Sequence, residues 1–253
     1  MKGKEMYILA IETTGAEASI AIINEQGEVR EETSTQKLSH LQNLMPMLDL
    51  LLEKCRLTIG DMSVVAVSEG PGSFTGIRIG VSTARALAQA LGIGTIGVPT
   101  LQTFAYHVPD YQGVICPIFD ARRSQVYGGA FRWTEGNCVE VAAGDAYDLS
   151  ALLEQLKFYL EELNESDRWG HEITFFGDGI DPYKEKILEW QHSSLKDNIR
   201  ILFAPDDRKL QKASSVAKLA LEKYKLGDIK PYIQLKPVYM RKAEAERKLE
   251  EKS

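Results

Sequence analysis

The chain has 253 residues, 44% of them hydrophobic, enough for one large domain or two small ones with a sizeable core. Its 36 acidic side chains against 30 basic ones leave a formal charge of -6, which excludes a protein that grips nucleic acid through phosphate neutralisation alone. Three cysteines, Cys55, Cys116 and Cys138, form no CxxC pair; that and the odd count argue against a disulfide framework and a structural zinc site and point to a reducing, cytoplasmic setting.

The start, Met1 to Glu5, is polar, and Glu12 breaks the apolar run that follows, so neither a signal segment nor a membrane span is expected. Tyr7 to Ile11 and Ala18 to Ile23 are apolar runs joined by the polar turn Glu12-Thr13-Thr14-Gly15, which predicts two strands. Asn24 to Gly27 is a turn, and Glu28 to Thr35 reads as a polar edge strand. Ser39-His40-Leu41-Gln42 has capping-box spacing, so a helix should start there, with Leu41, Leu44, Met45, Leu48, Leu51, Leu52 and Cys55 at three-four spacing. Met47 and Leu50 lie off that stripe. Pro46 removes one internal hydrogen bond and predicts a kink near His40 to Gln42, or a start one turn later.

Met62 to Val67 predicts a strand that enters Ser68-Glu69-Gly70-Pro71-Gly72-Ser73-Phe74-Thr75-Gly76, a glycine loop leading into a helix that runs to Leu91. Along that helix small residues recur every fourth place, at Gly76, Gly80, Ala84 and Ala88, a Cβ-poor stripe that lets another backbone come close. Gly92-Ile93-Gly94 ends it, Thr95 to Val98 reads as a buried strand, and Pro99-Thr100-Leu101 starts a short helix. A break at Val108 to Gly113 is the expected lobe boundary. Beyond it the grammar repeats: the strand Val114 to Phe119 ends in Asp120, a turn follows, and Gln125 to Phe131 returns as a strand, which points to a duplication.

Helices over Leu149 to Leu163, Tyr183 to Trp190 and Ser214 to Tyr224 then alternate with strands at Ile173 to Phe176 and Ile199 to Phe203, an α/β pattern. The expected division is 1–110 as an N-terminal lobe, 111–212 as a second, reduced lobe, and 213–253 as a C-terminal helix and tail placed to pack back on the first. Ala243 to Ser253 is charged and reads as solvated.

The glycine loop fails two phosphate fingerprints. A Walker loop needs Lys-Ser or Lys-Thr after its last glycine, but Ile77-Arg78 follow Gly76; a dinucleotide loop needs tighter glycine spacing and an acid about twenty residues on, and none appears before Asp110. What is left is either an anion cradle of helix-start amides around Gly72, Ser73 and Thr75, or a tight turn with no ligand. Glu12 and Asp120, at matching strand ends, either flank a magnesium nucleotide, with Thr13, Thr14, Gly15 and Asp178 nearby, or simply begin polar turns. His40, His107, His171 and His192 never fall at i, i+4, and there is no HExxH and no GxSxG.

Ile8 to Thr14, Ser39-His40 with Leu44-Met45-Pro46-Met47, the block Glu69 to Gly80, Asp120-Ala121-Arg122 and Pro237-Val238-Tyr239-Met240-Arg241 together resemble the bacterial TsaB family, also called YeaZ-like, over nearly the whole chain. The resemblance implies an α/β, actin-like (ASKHA, ribonuclease H-like) fold of two duplicated lobes with the second reduced. It also implies a role in forming N6-threonylcarbamoyladenosine in tRNA, as a non-catalytic subunit that supports the catalytic relative TsaD together with the ATPase TsaE. By the same resemblance the chain pairs with itself when alone, meets tRNA only through the complex, and needs no membrane. TsaD carries two metal-binding histidines on the short helix after the strand that follows the glycine block. The matching stretch here, Gly97 to Phe104, has none, so no metal is expected and ATP or ADP with magnesium would bind weakly at most. The first-strand aspartate of the family is Glu12 in this chain.

The partner surface expected from the resemblance is Leu41, Leu44, Met45, Met47, Leu48 and Leu51 on one helix, with Phe74, Gly76, Ile77, Gly80, Ala84, Leu87 and Ala88 on the next. Gly80→Arg or Ala84→Glu should then abolish docking. Two rival readings are an ATP-dependent phosphotransferase of the actin and sugar-kinase superfamily, resting on Glu12, Asp120 and Gly177-Asp178-Gly179, and a metallopeptidase, an activity once attached to relatives, whose ligands the sequence does not supply.

Overall fold

Two sets of apolar strands build two five-stranded sheets in the computed structural model, which describes residues 5–34, 40–122, 124–163 and 170–240. The polar start Met1 to Lys4, the cap at Ser39, the side chains of His40, Leu41 and Gln42, Arg123 of the second turn, and the tail from Ala243 lie outside the described residues. The elements in chain order are β1 (Tyr7–Glu12), β2 (Ser19–Asn24), β3 (Val29–Thr33), α1 (His40–Cys55), β4 (Val64–Gly70), α2 (Phe74–Leu91), β5 (Gly94–Pro99) and α3 (Thr103–His107). There follow β6 (Val114–Asp120), β7 (Gln125–Thr134), β8 (Asn137–Asp148), α4 (Leu149–Glu162), β9 (Glu172–Phe176), α5 (Ile180–Ser194), β10 (Arg200–Phe203) and α6 (Ala213–Lys225).

The first unit takes in Met1–Thr103 and Gln211–Ser253. Its sheet runs β3-β2-β1-β4-β5, with β1, β2 and β3 antiparallel and β4 and β5 parallel to β1. Strand alternation sends Leu9, Ile11, Ile20, Ile22, Val65 and Val67 to the face covered by α1 and α2. Ile8, Ala10, Ala21 and Ala66 are buried on the opposite face, and α6 lies against the same strands. The start of α6 is tied down by carboxylate and hydroxyl acceptors: Ser214 donates its amide (2.9 Å) and hydroxyl (3.0 Å) to Glu31 on β3, and the Ala213 amide donates to Ser19 Oγ on β2 (2.9 Å).

The second unit, Phe104–Leu210, orders its strands β10-β9-β6-β7-β8. Counted within each unit this is the same sheet, with the first strand at the centre, two antiparallel strands on one side and two parallel strands on the other. The duplication read from strand, acid and turn therefore extends to the whole topology. The second sheet keeps all five strands; β10 has only four residues, and the helix that follows it, α6, packs on the first sheet.

Three expectations are corrected. The division falls after Thr103, not near residue 110, because Phe104 packs on Phe119 (5.8 Å) and Phe176 (5.7 Å) and the Ala105 carbonyl accepts from Trp133 Nε1 (3.0 Å). Aromatic packing thus fastens α3 to the second unit. The twelve-residue strand β8 was not anticipated: its Ala-Ala-Gly centre has low strand propensity, and long pairing with β7, shifted in register near Ala130, holds it.

The third correction concerns the small-residue stripe. Gly76, Gly80, Ala84 and Ala88 are all buried, and they face the chain's own sheet. A Cβ on Gly76 would overlap the Thr13 carbonyl oxygen, and one on Gly80 would overlap Thr13 Oγ1. Leu44, Met47, Leu48, Leu51 and Ile77 likewise belong to the first unit's core and are not surface residues. Gly80→Arg and Ala84→Glu would therefore disrupt the fold itself. Gly76→Ala supplies a milder test: helix propensity favours alanine by about 1 kcal/mol, while forcing a methyl into close-packed backbone costs about 1–3 kcal/mol. A net loss of stability is expected by urea denaturation, whereas Ser82→Ala on the exposed side of α2 should be neutral or slightly stabilising; a stabilised Gly76→Ala would contradict this packing.

Candidate functional site

The C-terminal ends of parallel strands are where open α/β sheets place ligands, and the residues singled out from the sequence sit there. Glu12, the last residue of β1, has no exposed surface. Its Oε1 accepts from the Thr14 amide (2.5 Å) and the Thr14 hydroxyl (2.6 Å), and its Oε2 accepts from the Ser68 hydroxyl on β4. Burial pushes the Glu12 carboxyl above its ordinary value, while the hydrogen bonds from Ser68 and Thr14 oppose the rise. The carboxylate is sealed inside the unit, with neither oxygen presented outward.

The glycine loop closes over that acid. The Ser73 amide donates to the Thr14 carbonyl (2.8 Å), and Thr13 Oγ1 donates to the Gly76 carbonyl (2.7 Å). Ser73 caps α2: its hydroxyl accepts from the Gly76 amide (3.3 Å) and its carbonyl from the Ile77 amide (2.8 Å). The amides of Ser73, Gly76 and Ile77 are thereby occupied within the chain, which weighs against an anion cradle at those positions. Gly72 has no side chain because a Cβ would lie 2.7 Å from Thr14, and Gly15 lies beneath Gln211, where the chain returns to the first unit.

The second unit repeats the arrangement with other residues. Asp120 ends β6, and its Oδ1 accepts from the Arg122 amide (2.8 Å) and the Tyr183 hydroxyl (3.1 Å). Asp178 Oδ1 accepts from the Asp120 amide (3.3 Å), and the Gly179 amide donates to the Ile118 carbonyl (3.1 Å), as Ser73 does to Thr14. The sequence-predicted residues therefore gather as two groups, Glu12, Thr13, Thr14, Gly15, Gly72 and Ser73 in the first unit and Asp120 with Asp178 in the second. The short helix α3 carries a single histidine, His107, whose ring packs near Phe104 (6.1 Å) and Phe176 (6.4 Å). Among the described residues no cluster of three His, Cys, Asp or Glu side chains is placed to hold a metal ion, and no helix is long and apolar enough to cross a membrane.

Of the expected partner surface, Met45 (42% exposed) and Phe74 (38%) are on the outside, joined by Leu50 (43%), while Leu87 is half-buried. One feature had no local signal in the sequence. Arg78 lies over the Phe74 ring at 3.9 Å and donates from Nε to the Tyr239 hydroxyl (2.9 Å), with the Phe74 and Tyr239 rings 4.9 Å apart. Tyr239 is 161 residues from Arg78, so no periodicity could have joined them. The segment Pro237 to Met240 reads from the sequence as extended chain and as part of a family motif, neither of which places it against α2.

Two copies of one five-stranded topology, each with an acid at the end of its first strand and a glycine turn folded against it, define an α/β protein of the actin-like class. A family model described as TsaD, tRNA N6-adenosine threonylcarbamoyltransferase, matches residues 23–249. The tRNA threonylcarbamoyladenosine biosynthesis protein TsaB of Bacillus subtilis is 36% identical over 182 residues, covering 72% of this chain and 75% of that protein. TsaB of Escherichia coli is 34% identical over 132 residues, 51% of this chain and 57% of the relative. The solved structure of YeaZ from Pseudomonas aeruginosa superposes with a TM-score of 0.71 at 21% identity, over 92% of this chain and 99% of that one, which shows the shared fold. The chain belongs to the TsaB family, also called YeaZ-like.

The sealed acid makes a pH prediction. Because the folded-state value of Glu12 is raised above the ordinary 4.5, its favourable contribution is complete below 4.5 and is lost as pH rises through the raised value. Glu12→Gln, neutral throughout, should therefore gain stability relative to the unaltered chain as pH climbs through that window in urea titrations. The opposite trend would mean that the hydrogen bonds from Thr14 and Ser68 outweigh desolvation.

Proposed function

We propose that this chain is a non-catalytic subunit of the assembly that forms N6-threonylcarbamoyladenosine in tRNA, docking onto the catalytic TsaD and working with the ATPase TsaE. The observation that carries the reading is Glu12: the acid at the ligand-binding end of β1 is wholly buried and hydrogen-bonded at both oxygens, a brace for the loop and not a ligand for magnesium. The stretch Gly97 to Phe104, without a histidine, agrees with it. The names of the curated relatives support the pathway, and the match to the TsaD family model supports a partner of the same descent.

The docking face is the outer side of α1 and α2, with Met45, Leu50, Phe74 and the half-buried Leu87 in contact, and Leu44, Leu48, Leu51, Gly80 and Ala84 as the rigid platform beneath. An exposed methionine and leucine flanking the outer side of α1 are suited to such a contact. The same face serves self-pairing when the chain is alone; tRNA is met through the complex, in the cytoplasm.

Exposed positions make the test clean. Met45→Asp with Leu50→Asp should leave the fold intact and weaken association with TsaD by about 2 kcal/mol or more, roughly 30-fold, as expected for a charge buried without a partner near an interface centre. Unchanged co-elution of this variant with TsaD in size-exclusion chromatography would overturn the assignment. Tight magnesium-ATP binding by the isolated chain in calorimetry would favour the phosphotransferase reading instead.

A further inference from the structure

The outer side of α1 is apolar only at its margins. Helical geometry sets Asp49 and Glu53 between Met45 and Leu50, and all four side chains are exposed. A partner that covers Met45 and Leu50 therefore covers two carboxylates as well, and a carboxylate taken out of water without a cation is strongly destabilising. The other charge on this part of the helix, Lys54, is held by Glu32 on β3.

α2 packs beside α1 on the same face of the sheet and carries the opposite sign. It has no acidic residue from Phe74 to Leu91, and its charges are Arg78 and Arg85, which share a stripe with Phe74. Arg78 is exposed and meets two neutral groups, the Phe74 ring and the hydroxyl of Tyr239, which lies on the strap that the chain forms after α6. These contacts orient the guanidinium and leave its charge uncompensated. Arg85 is half-buried, and among the described residues none of Asp49, Glu53, Arg78 and Arg85 is ion-paired. The face is thus divided, with acids along α1, arginines along α2 and apolar side chains at Met45, Leu50 and Phe74.

Two copies pressed together on a two-helix face can be related by a two-fold axis in either of two ways. An axis running across the helices sets α1 on its own counterpart, acid against acid and arginine against arginine. An axis running along the helices sets α1 on the α2 of the other copy, so that each pair of carboxylates meets a pair of arginines. We propose that a second copy of this chain docks in the second way, and that Asp49 and Glu53 with Arg78 and Arg85 select that orientation. Arginine supplies the cations that covering Met45 and Leu50 demands, and like-charge contact disfavours the first arrangement. The inference rests on the reading of α1 and α2 as a docking face, and adds to it how the partner is turned and which side chains turn it.

The test is sedimentation velocity on the full chain, with circular dichroism to confirm the fold of each variant. Asp49→Arg with Glu53→Arg, and separately Arg78→Glu with Arg85→Glu, should each weaken self-association by about tenfold or more. Arg85→Glu alone leaves the contact of Arg78 with Tyr239 in place and should weaken it in the same direction, which keeps the α2 arm readable if the double variant does not fold. The chain carrying all four substitutions exchanges the signs of the two helices and should recover most of the lost association, a recovery that a merely structural role would not produce. A monomeric unaltered chain, indifference to the charge reversals, or a fourfold variant no better than the doubles would overturn the proposal. Met45→Asp with Leu50→Asp reads the face by itself. If that variant dissociates while the charge reversals do nothing, this inference falls and the docking face stands; if that variant is also without effect, both fall.

Discussion

The close approach of α2 to the end of β1 sets the rest of the first unit. Gly76 and Gly80 carry no Cβ because Thr13 fills the space, and Thr13 returns a hydrogen bond to the Gly76 carbonyl. With Ser73 bonded to the Thr14 carbonyl, the strand end, the loop and the first turn of the helix form one rigid piece. Glu12 is shut beneath that piece, where Thr14 and Ser68 occupy its oxygens. A geometry that in an α/β sheet leaves a crevice for a ligand is used here to brace the fold.

Much of this was legible in the sequence. Apolar runs bounded by turn residues, with one polar edge segment for β3, located nine of the ten strands among the described residues, because strands buried on a two-sided sheet must be largely apolar. The repeated order of strand, acid and turn was visible because each copy asks the same of its residues: an acid where the first strand ends and small residues where a second loop folds over it. β8 was hidden because an edge strand with weak alternation is specified by its partner more than by its own residues.

The small-residue stripe shows a different limit. A four-residue spacing of Gly and Ala reports that some backbone comes close, but the pattern is the same whether that backbone is the chain's own β1 or another molecule. Sequence periodicity located α1 and α2, and the expectation drawn from it gave their inner face to a partner. The outer face, with Met45, Leu50 and Phe74, differs from a solvated helix only by a few apolar residues, too small a signal to read without burial. The strap was equally out of reach, since Tyr239 meets Phe74 and Arg78 through the fold alone.

Taken together, the sealed acid and the exposed helix face are what the proposal rests on that this member of the TsaB family supports chemistry carried out elsewhere. Reconstitution of tRNA threonylcarbamoylation tests this most directly, with TsaD, TsaE and the enzyme that makes the threonylcarbamoyl-adenylate, in the presence and absence of this chain. The account predicts that modified tRNA forms only when the chain is present and that the chain alone forms none. Full turnover without it, or turnover by the chain in the absence of TsaD, would contradict the account.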